Sequence, residues 1–183
     1  MKRLGFIFLM VLIPVIAMAE ILRIPFKAEE FDVDILKYTH MLLIDNPSSK
    51  QLDTYYTFTN KRKNYQIRYT FFKQTEMNYQ NIRMAYSFFI LPIIINIAGY
   101  EEVGIPNNFN DDNVKNEFNG DFGNTITIKN PKSDFGKGYK YIMLNFYYKI
   151  NQGIVVQSIL FNDLSFLKSK DLLEIYHSFK FHE

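Results

Sequence analysis

The chain has 183 residues, with 21 Lys and Arg against 19 Asp and Glu, and no cysteine. The missing cysteine excludes thiol catalysis, thiolate metal sites and disulfides together. The small positive balance comes from Lys2 and Arg3, so residues 20–183 are formally neutral and carry no charge excess to hold nucleic acid or an anionic membrane.

Lys2 and Arg3 are followed by an apolar run over residues 4–16, interrupted by Gly5 and Pro14, and then by Ala17-Met18-Ala19 before Glu20. This is the pattern of a cleaved signal peptide over 1–19, leaving one domain over 20–183. The alternative is an N-terminal membrane anchor, but a span needs about 20 apolar residues and the run is shorter. The expectation is therefore an exported bacterial protein, periplasmic or secreted, with no transmembrane span after cleavage. No cysteine flanks the cut, which excludes a lipid anchor there. An exported chain without disulfides must fold on core packing, and 48% hydrophobic with 17% aromatic residues supply the material. The richness in Asn, Ile, Lys, Phe and Tyr reads as compositional bias, so aromatic abundance alone is no evidence of a binding surface.

In chain order, ILRIPF near residue 20 is a short alternating segment with Pro25, suited to an edge strand or an entry arm. Residues 32–44 fit a helix through Val33, Leu36, Lys37 and His40, and equally fit a strand through YTHMLLID. A turn at Asn46-Pro47-Ser48-Ser49 precedes a hairpin over residues 54–72, in which Tyr65, Ile67, Tyr69 and Phe71 alternate with Gln66, Arg68 and Thr70. Residues 78–98 read as the main helix. Ile82, Ala85, Tyr86, Phe89, Ile93 and Ile97 share a face, Thr75 or Asn78 caps the start, and Gly99 marks the stop. Pro92 should kink or divide it. From Phe88 to Ala98 the helix is apolar nearly all round, which predicts deep burial against a sheet; a membrane-inserting segment is the alternative, but it is too short to span.

Residues 101–110 read as an irregular loop. A short helix follows over 113–119, capped by Asp111 or Asp112, ended by Gly120, and burying Val114 and Phe118. NTITIK is a strand and NPKSDFGKG a loop. Residues 139–163 are the stretch around which the chain is organised, two strands joined by Ile150-Asn151-Gln152-Gly153. Ile142, Leu144, Phe146 and Tyr148 form one face of the first strand, and Tyr141, Met143, Asn145 and Tyr147 the other. Both strands are too apolar for either face to be wet, so this hairpin belongs at the centre of a sheet covered on both sides. A last helix over 165–178, capped by Ser165 or Ser169, and a terminal strand Phe179–Phe181 complete the chain. Helices in groups between short-looped strands predict an α+β fold with a single antiparallel sheet flanked by helices.

The closing segments GIVVQSILFND, LLEIYH and SFKF resemble the end of exported bacterial proteins with the Mog1/PsbP-like fold. That resemblance implies an α/β/α sandwich and an accessory, partner-binding role without chemistry. It carries over no functional residue.

Candidate chemistry is sparse. His40, His177 and His182 stand in no metal-binding spacing. The stretch from Asn107 to Asp121 offers Asp111, Asp112, Glu117 and Asp121 as oxygen ligands for calcium, although helix capping accounts for the aspartates without it. The loop 132–138 has glycines and lysines but no P-loop spacing, and a strand follows it. Lys61-Arg62-Lys63 is a basic hairpin tip, either a solvated turn that deters edge pairing or a contact for an acidic partner. No serine-hydrolase motif occurs. Two binding roles follow. One is an exported, non-enzymatic binding or accessory module that meets an unknown protein partner in the cell envelope through its surface. The other is a small-ligand carrier with a pocket between sheet and helix, lined by Tyr141 and Tyr147. An enzyme of unfamiliar type ranks below both, and no catalytic residue, metal or cofactor is expected.

Overall fold

A computed structural model describes residues 33–35, 41–46, 52–60, 62, 64–73, 82–99 and 103–183. The leader and its cleavage pattern, the ILRIPF segment, His40, Lys61, Lys63, Thr75 and Asn78 lie outside the described residues. The strands are β1 (Val33–Ile35), β2 (Leu42–Ile44), β3 (Tyr56–Asn60), β4 (Tyr65–Lys73), β5 (Asn107–Asn108), β6 (Phe122–Lys129), β7 (Tyr141–Lys149), β8 (Gly153–Phe161) and β9 (Phe179–Phe181). The α-helices are α1 (Ile82–Ala98), α2 (Asp111–Phe118) and α3 (Lys170–Tyr176). Seven strands form one antiparallel sheet in the order β2-β3-β4-β8-β7-β6-β5, and β1 pairs with β9 separately.

The expected central hairpin is β7–β8. Lys149 pairs with Gly153 across the three-residue loop 150–152; Asn151 in that loop has φ 66°, and Gly153, which opens β8, has φ 129°. Glycine is needed there because a side chain rarely tolerates that conformation. All nine residues of β8 are buried, as are the seven central residues of β7. Ile142, Leu144, Phe146 and Tyr148 pack with Ile154, Val156 and Leu160 and with Tyr86, Ile90, Ile94 and Ile97 of α1. Met143 and Tyr147 pack on the opposite face with Val155, Ile159, Val114, Phe118, Leu172, Ile175 and Phe179. Period-two alternation thus feeds two separate cores, one on each face of the same strands.

One row of side chains crosses the second face. Thr125, Asn145, Gln157 and Tyr69 are direct cross-strand neighbours on β6, β7, β8 and β4. Thr125 Oγ1 donates to Asn145 Oδ1 at 2.7 Å, and Asn145 Nδ2 donates to Gln157 Oε1 at 2.9 Å. Gln157 Nε2 reaches Tyr69 Oη at 3.1 Å, Ser178 Oγ at 2.9 Å and the Ile175 carbonyl at 2.8 Å. Tyr69 Oη and Ser178 Oγ are also hydrogen-bonded to each other. The Ile175 carbonyl lies in the last turn of α3, where it also accepts from Ser178 N at 3.1 Å, so the row seats that helix end on the sheet. Buried polar groups are tolerable only when paired, and these are.

Several sequence expectations need correction. α1 is a single helix across Pro92, so the proline does not divide it in two. The bond that proline removes would have gone to the carbonyl of Phe88, and both residues are exposed, so water is at hand for the freed carbonyl. Nor is α1 deeply buried all round: Met84, Phe88 and Leu91 are 56%, 71% and 49% exposed. An apolar outer face carries no signal that separates it from the inner one. The last helix is two pieces, a 3-10 segment Leu164–Lys168 capped by Asp163 and then α3 capped by Ser169, whose Oγ accepts from Leu172 N at 3.2 Å. Arg68, on the polar face of β4 by alternation, is buried. Its guanidinium lies 4.7 Å over the Phe135 ring, donates to the Phe135 carbonyl at 2.5 Å and pairs with Gln66 Oε1. It closes the 3-10 turn Asp134–Gly136 against the sheet, inside what the sequence suggested was a plain loop.

Burial also sets the response to alkali. Tyr69 is pushed up from 10.0 to about 12 by burial, partly offset by its bonds from Ser178 and Gln157. Burial shifts Tyr65 to about 12, and raises Tyr86, Tyr139, Tyr147 and Tyr176. The folded protein keeps protons that the unfolded chain releases, so this stability is complete below pH 10.0 and is lost as pH rises toward about 12. Arg68 acts the other way, because burial lowers it from 12.5 to about 10. Six phenols outweigh one guanidinium. The urea midpoint should hold from about pH 8 to about pH 9.5 and fall steeply by about pH 11. A midpoint that is flat over that range contradicts the buried-phenol assignment.

Candidate functional site

The two short helices and the sheet leave a cavity of about 260 Å³ between them. It is lined by Phe109, Asn110, Asn113, Val114, Glu117, Phe118, Tyr147, Leu173, Tyr176 and His177. Each wall has a local cause. α2 begins at Asn110, whose Oδ1 accepts from Asn113 N at 3.1 Å, and ends at Asn119, a left-handed residue with φ 54°. The cap is thus Asn110 rather than Asp111 or Asp112, and the stop is Asn119 rather than Gly120. Both aspartates sit in the first turn, where the helix dipole favours them. Asn119 Nδ2 donates to the carbonyls of Phe181 at 3.2 Å and His182 at 2.9 Å, which ties α2 to β9.

The α3 wall depends on the polar row. Gln157 and Ser178 hold the end of α3, and Tyr176 and His177 project from that end into the cavity lining. The phenol of Tyr176 bonds toward Thr125 and Asn145 and lies 3.0 Å from Met143 Sδ.

Tyr147 forms the floor. Its ring packs against Phe118 at 4.5 Å, Phe179 at 4.7 Å and Phe109 at 5.4 Å, the last nearly parallel. Gly123 makes the Phe109 contact possible. It is the cross-strand neighbour of Tyr147, and an added Cβ would stand 2.5 Å from the Phe146 carbonyl and 3.2 Å from the Phe109 ring. Phe109 fills the space of the missing side chain, fixed by its N–H to the Gly123 carbonyl at 2.9 Å. The Tyr147 hydroxyl is buried with no hydrogen-bond partner. Burial raises its pKa well above 10.0, and the nearby Tyr176, Tyr69 and Glu117 raise it further, so it stays a neutral phenol.

Other sequence-based candidates are dispersed. Tyr141 shares a face of β7 with Tyr147 but stacks on Phe161 at 5.4 Å and does not line the cavity. Six residues of strand span about 20 Å, wider than a small-ligand site. The acids from 111 to 121 face different partners: Asp111 pairs with Arg83, Asp121 accepts from Ile150 N at 2.6 Å, and Glu117 lies 3.6 Å from His177. Among the described residues no group of three or more His, Asp or Glu is placed to hold a metal ion. Arg62 is exposed at the β3–β4 tip, where its N–H donates to Asn60 Oδ1 at 3.1 Å. His182 is exposed at the chain end, and its carbonyl accepts from Lys149. The sequence singled out Tyr147 but missed Phe109, Glu117, Phe118, Tyr176 and His177 as its companions.

A buried hydroxyl without a partner costs about 1–3 kcal/mol of desolvation. Tyr147→Phe should therefore leave stability unchanged or raise it by about 1 kcal/mol in urea unfolding. A loss above about 1 kcal/mol would show that the hydroxyl is bonded in solution. No protein-family model matches the chain, and no curated protein is similar to it.

Proposed function

We propose that the protein is an exported, non-enzymatic binding module that takes a small ligand in the cavity between α2, α3 and β7. The observation that carries this is the cavity itself: an open space of about 260 Å³, with four rings in its walls and floored by a buried tyrosine whose hydroxyl has no partner. A concave, mostly apolar site with a few polar groups is what small-molecule binding requires. Burial holds the Tyr147 phenol of the floor protonated, which does not suit general-base work. The leader pattern supports an envelope address. We read the architecture as an α/β/α sandwich of the PsbP-like kind; the run from β7–β8 through α3 to β9 supports that reading.

A second reading keeps a protein partner, on the outer stripe of α1. Met84, Phe88 and Leu91 are exposed on successive turns, and exposed apolar surface of this kind marks contact sites. No helix among the described residues is long and apolar enough to cross a membrane.

Native mass spectrometry of the protein recovered from its own envelope tests both readings. The proposal expects a small-molecule adduct that is lost in Leu173→Trp, a rim residue 62% exposed whose enlargement blocks the opening. A bare chain in the wild type, or an adduct that survives Leu173→Trp, contradicts the cavity reading. A protein-sized adduct lost in Phe88→Gln would transfer the function to α1.

A further inference from the structure

The cavity lining is uneven in charge. Phe109, Phe118, Tyr147 and Tyr176 supply four aromatic rings, and His177 a fifth. Glu117 contributes the carboxylate, and among the described residues no Lys or Arg lines the space. The two asparagines at the start of α2 add amide oxygens, one of them already used as the helix cap. The first turn of α2 carries Asp111 and Asp112, so the helix end offers no net positive charge to an anion. Ring faces are negative at their centres, and a carboxylate beside them adds to the same sign. An anion would meet repulsion here. A neutral apolar molecule would leave Glu117 unused, with His177 at 3.6 Å as its neighbour.

We infer that the cavity is a site for a small organic cation of the alkylammonium class, with Glu117 as its counter-charge and the part-exposed rings of Phe109 and Tyr176 beside its alkyl groups. The inference rests on the ligand-binding reading of the same cavity and adds the chemical class. The volume of about 260 Å³ fits a head group of a few carbons and not a drug-sized ligand. The cation takes over from His177 as the partner of Glu117, and it keeps its positive charge without needing to donate a hydrogen bond, as a quaternary nitrogen cannot. The neutral phenol of Tyr147 leaves the floor uncharged, so attraction comes from the rings and from Glu117.

The test is calorimetric titration of the full chain with choline and with 3,3-dimethylbutan-1-ol, the neutral molecule of the same shape. Choline should bind about tenfold more tightly than the alcohol, the size of a desolvated cation–π contact with a carboxylate nearby. Glu117→Gln should weaken choline about tenfold and leave the alcohol unchanged. The Glu117 side chain is 43% exposed, so this variant should keep its thermal midpoint. Phosphatidylcholine vesicles in a parallel arm separate the free cation from the same group on a lipid; sedimentation of the protein with vesicles would assign the lipid as its source. Equal affinity for choline and the alcohol, or no effect of Glu117→Gln, overturns the cation assignment while leaving the cavity a ligand site. No heat with either probe overturns the cation assignment too. The envelope adduct and its response to Leu173→Trp then decide the cavity reading separately.

Discussion

The row Thr125–Asn145–Gln157–Tyr69 fixes more of this molecule than any apolar contact does. Apolar packing is tolerant, because a sheet of Val, Ile and Phe can slide by two residues and still bury its faces. A row of paired amides cannot slide. Shifting β8 by one residue would turn Gln157 toward α1 and leave Asn145 without an acceptor in the interior. Each stranded group would cost about 1–3 kcal/mol, a large share of the marginal stability of a domain this size. Register is set by the expense of the alternatives.

The same row positions the candidate site. Gln157 and Ser178 hold the end of α3 through the Ile175 carbonyl, and the next two residues, Tyr176 and His177, are cavity wall. Thr125 and Asn145 meet the Tyr176 phenol from below. Tyr147, two residues beyond Asn145 on the same face of β7, is the floor. Strand register therefore becomes cavity shape within one turn of helix. The opposite wall comes from Gly123, Phe109 and the Asn119 bonds to the end of the chain, so both walls meet at β9 and the residues after it.

Much of this was legible from the residues. The alternation in 141–149 and 153–161 named the central hairpin and its two faces, and the pair Val114 and Phe118 named the inner side of α2. The loop was read one residue too long: Gly153 pairs with Lys149 instead of lying in the turn, and the resulting three-residue loop sets the register that brings Asn145 opposite Gln157. One pairing was out of reach: Gln157 and Tyr69 stand 88 positions apart on β8 and β4, and no local pattern orders those strands; Asn145 and Thr125 lie on consecutive strands, but the long loop between them does not fix their register. The cavity was half legible for the same reason. Tyr147 stood out, but its companions come from α2 and α3, whose approach depends on that long-range order. Arg68 and α1 failed on chemistry. An arginine in an alternating strand reads as a wet face, and a uniformly apolar helix hides which side is covered.

The most direct measurement is a double-mutant cycle in urea on Asn145→Leu and Gln157→Leu. If the row acts as one unit, each single substitution strands its neighbour and costs about 1–3 kcal/mol. The double variant then costs about as little as one alone, a coupling above about 1 kcal/mol. Additive losses within about 0.5 kcal/mol would show two independent side chains and would contradict the account.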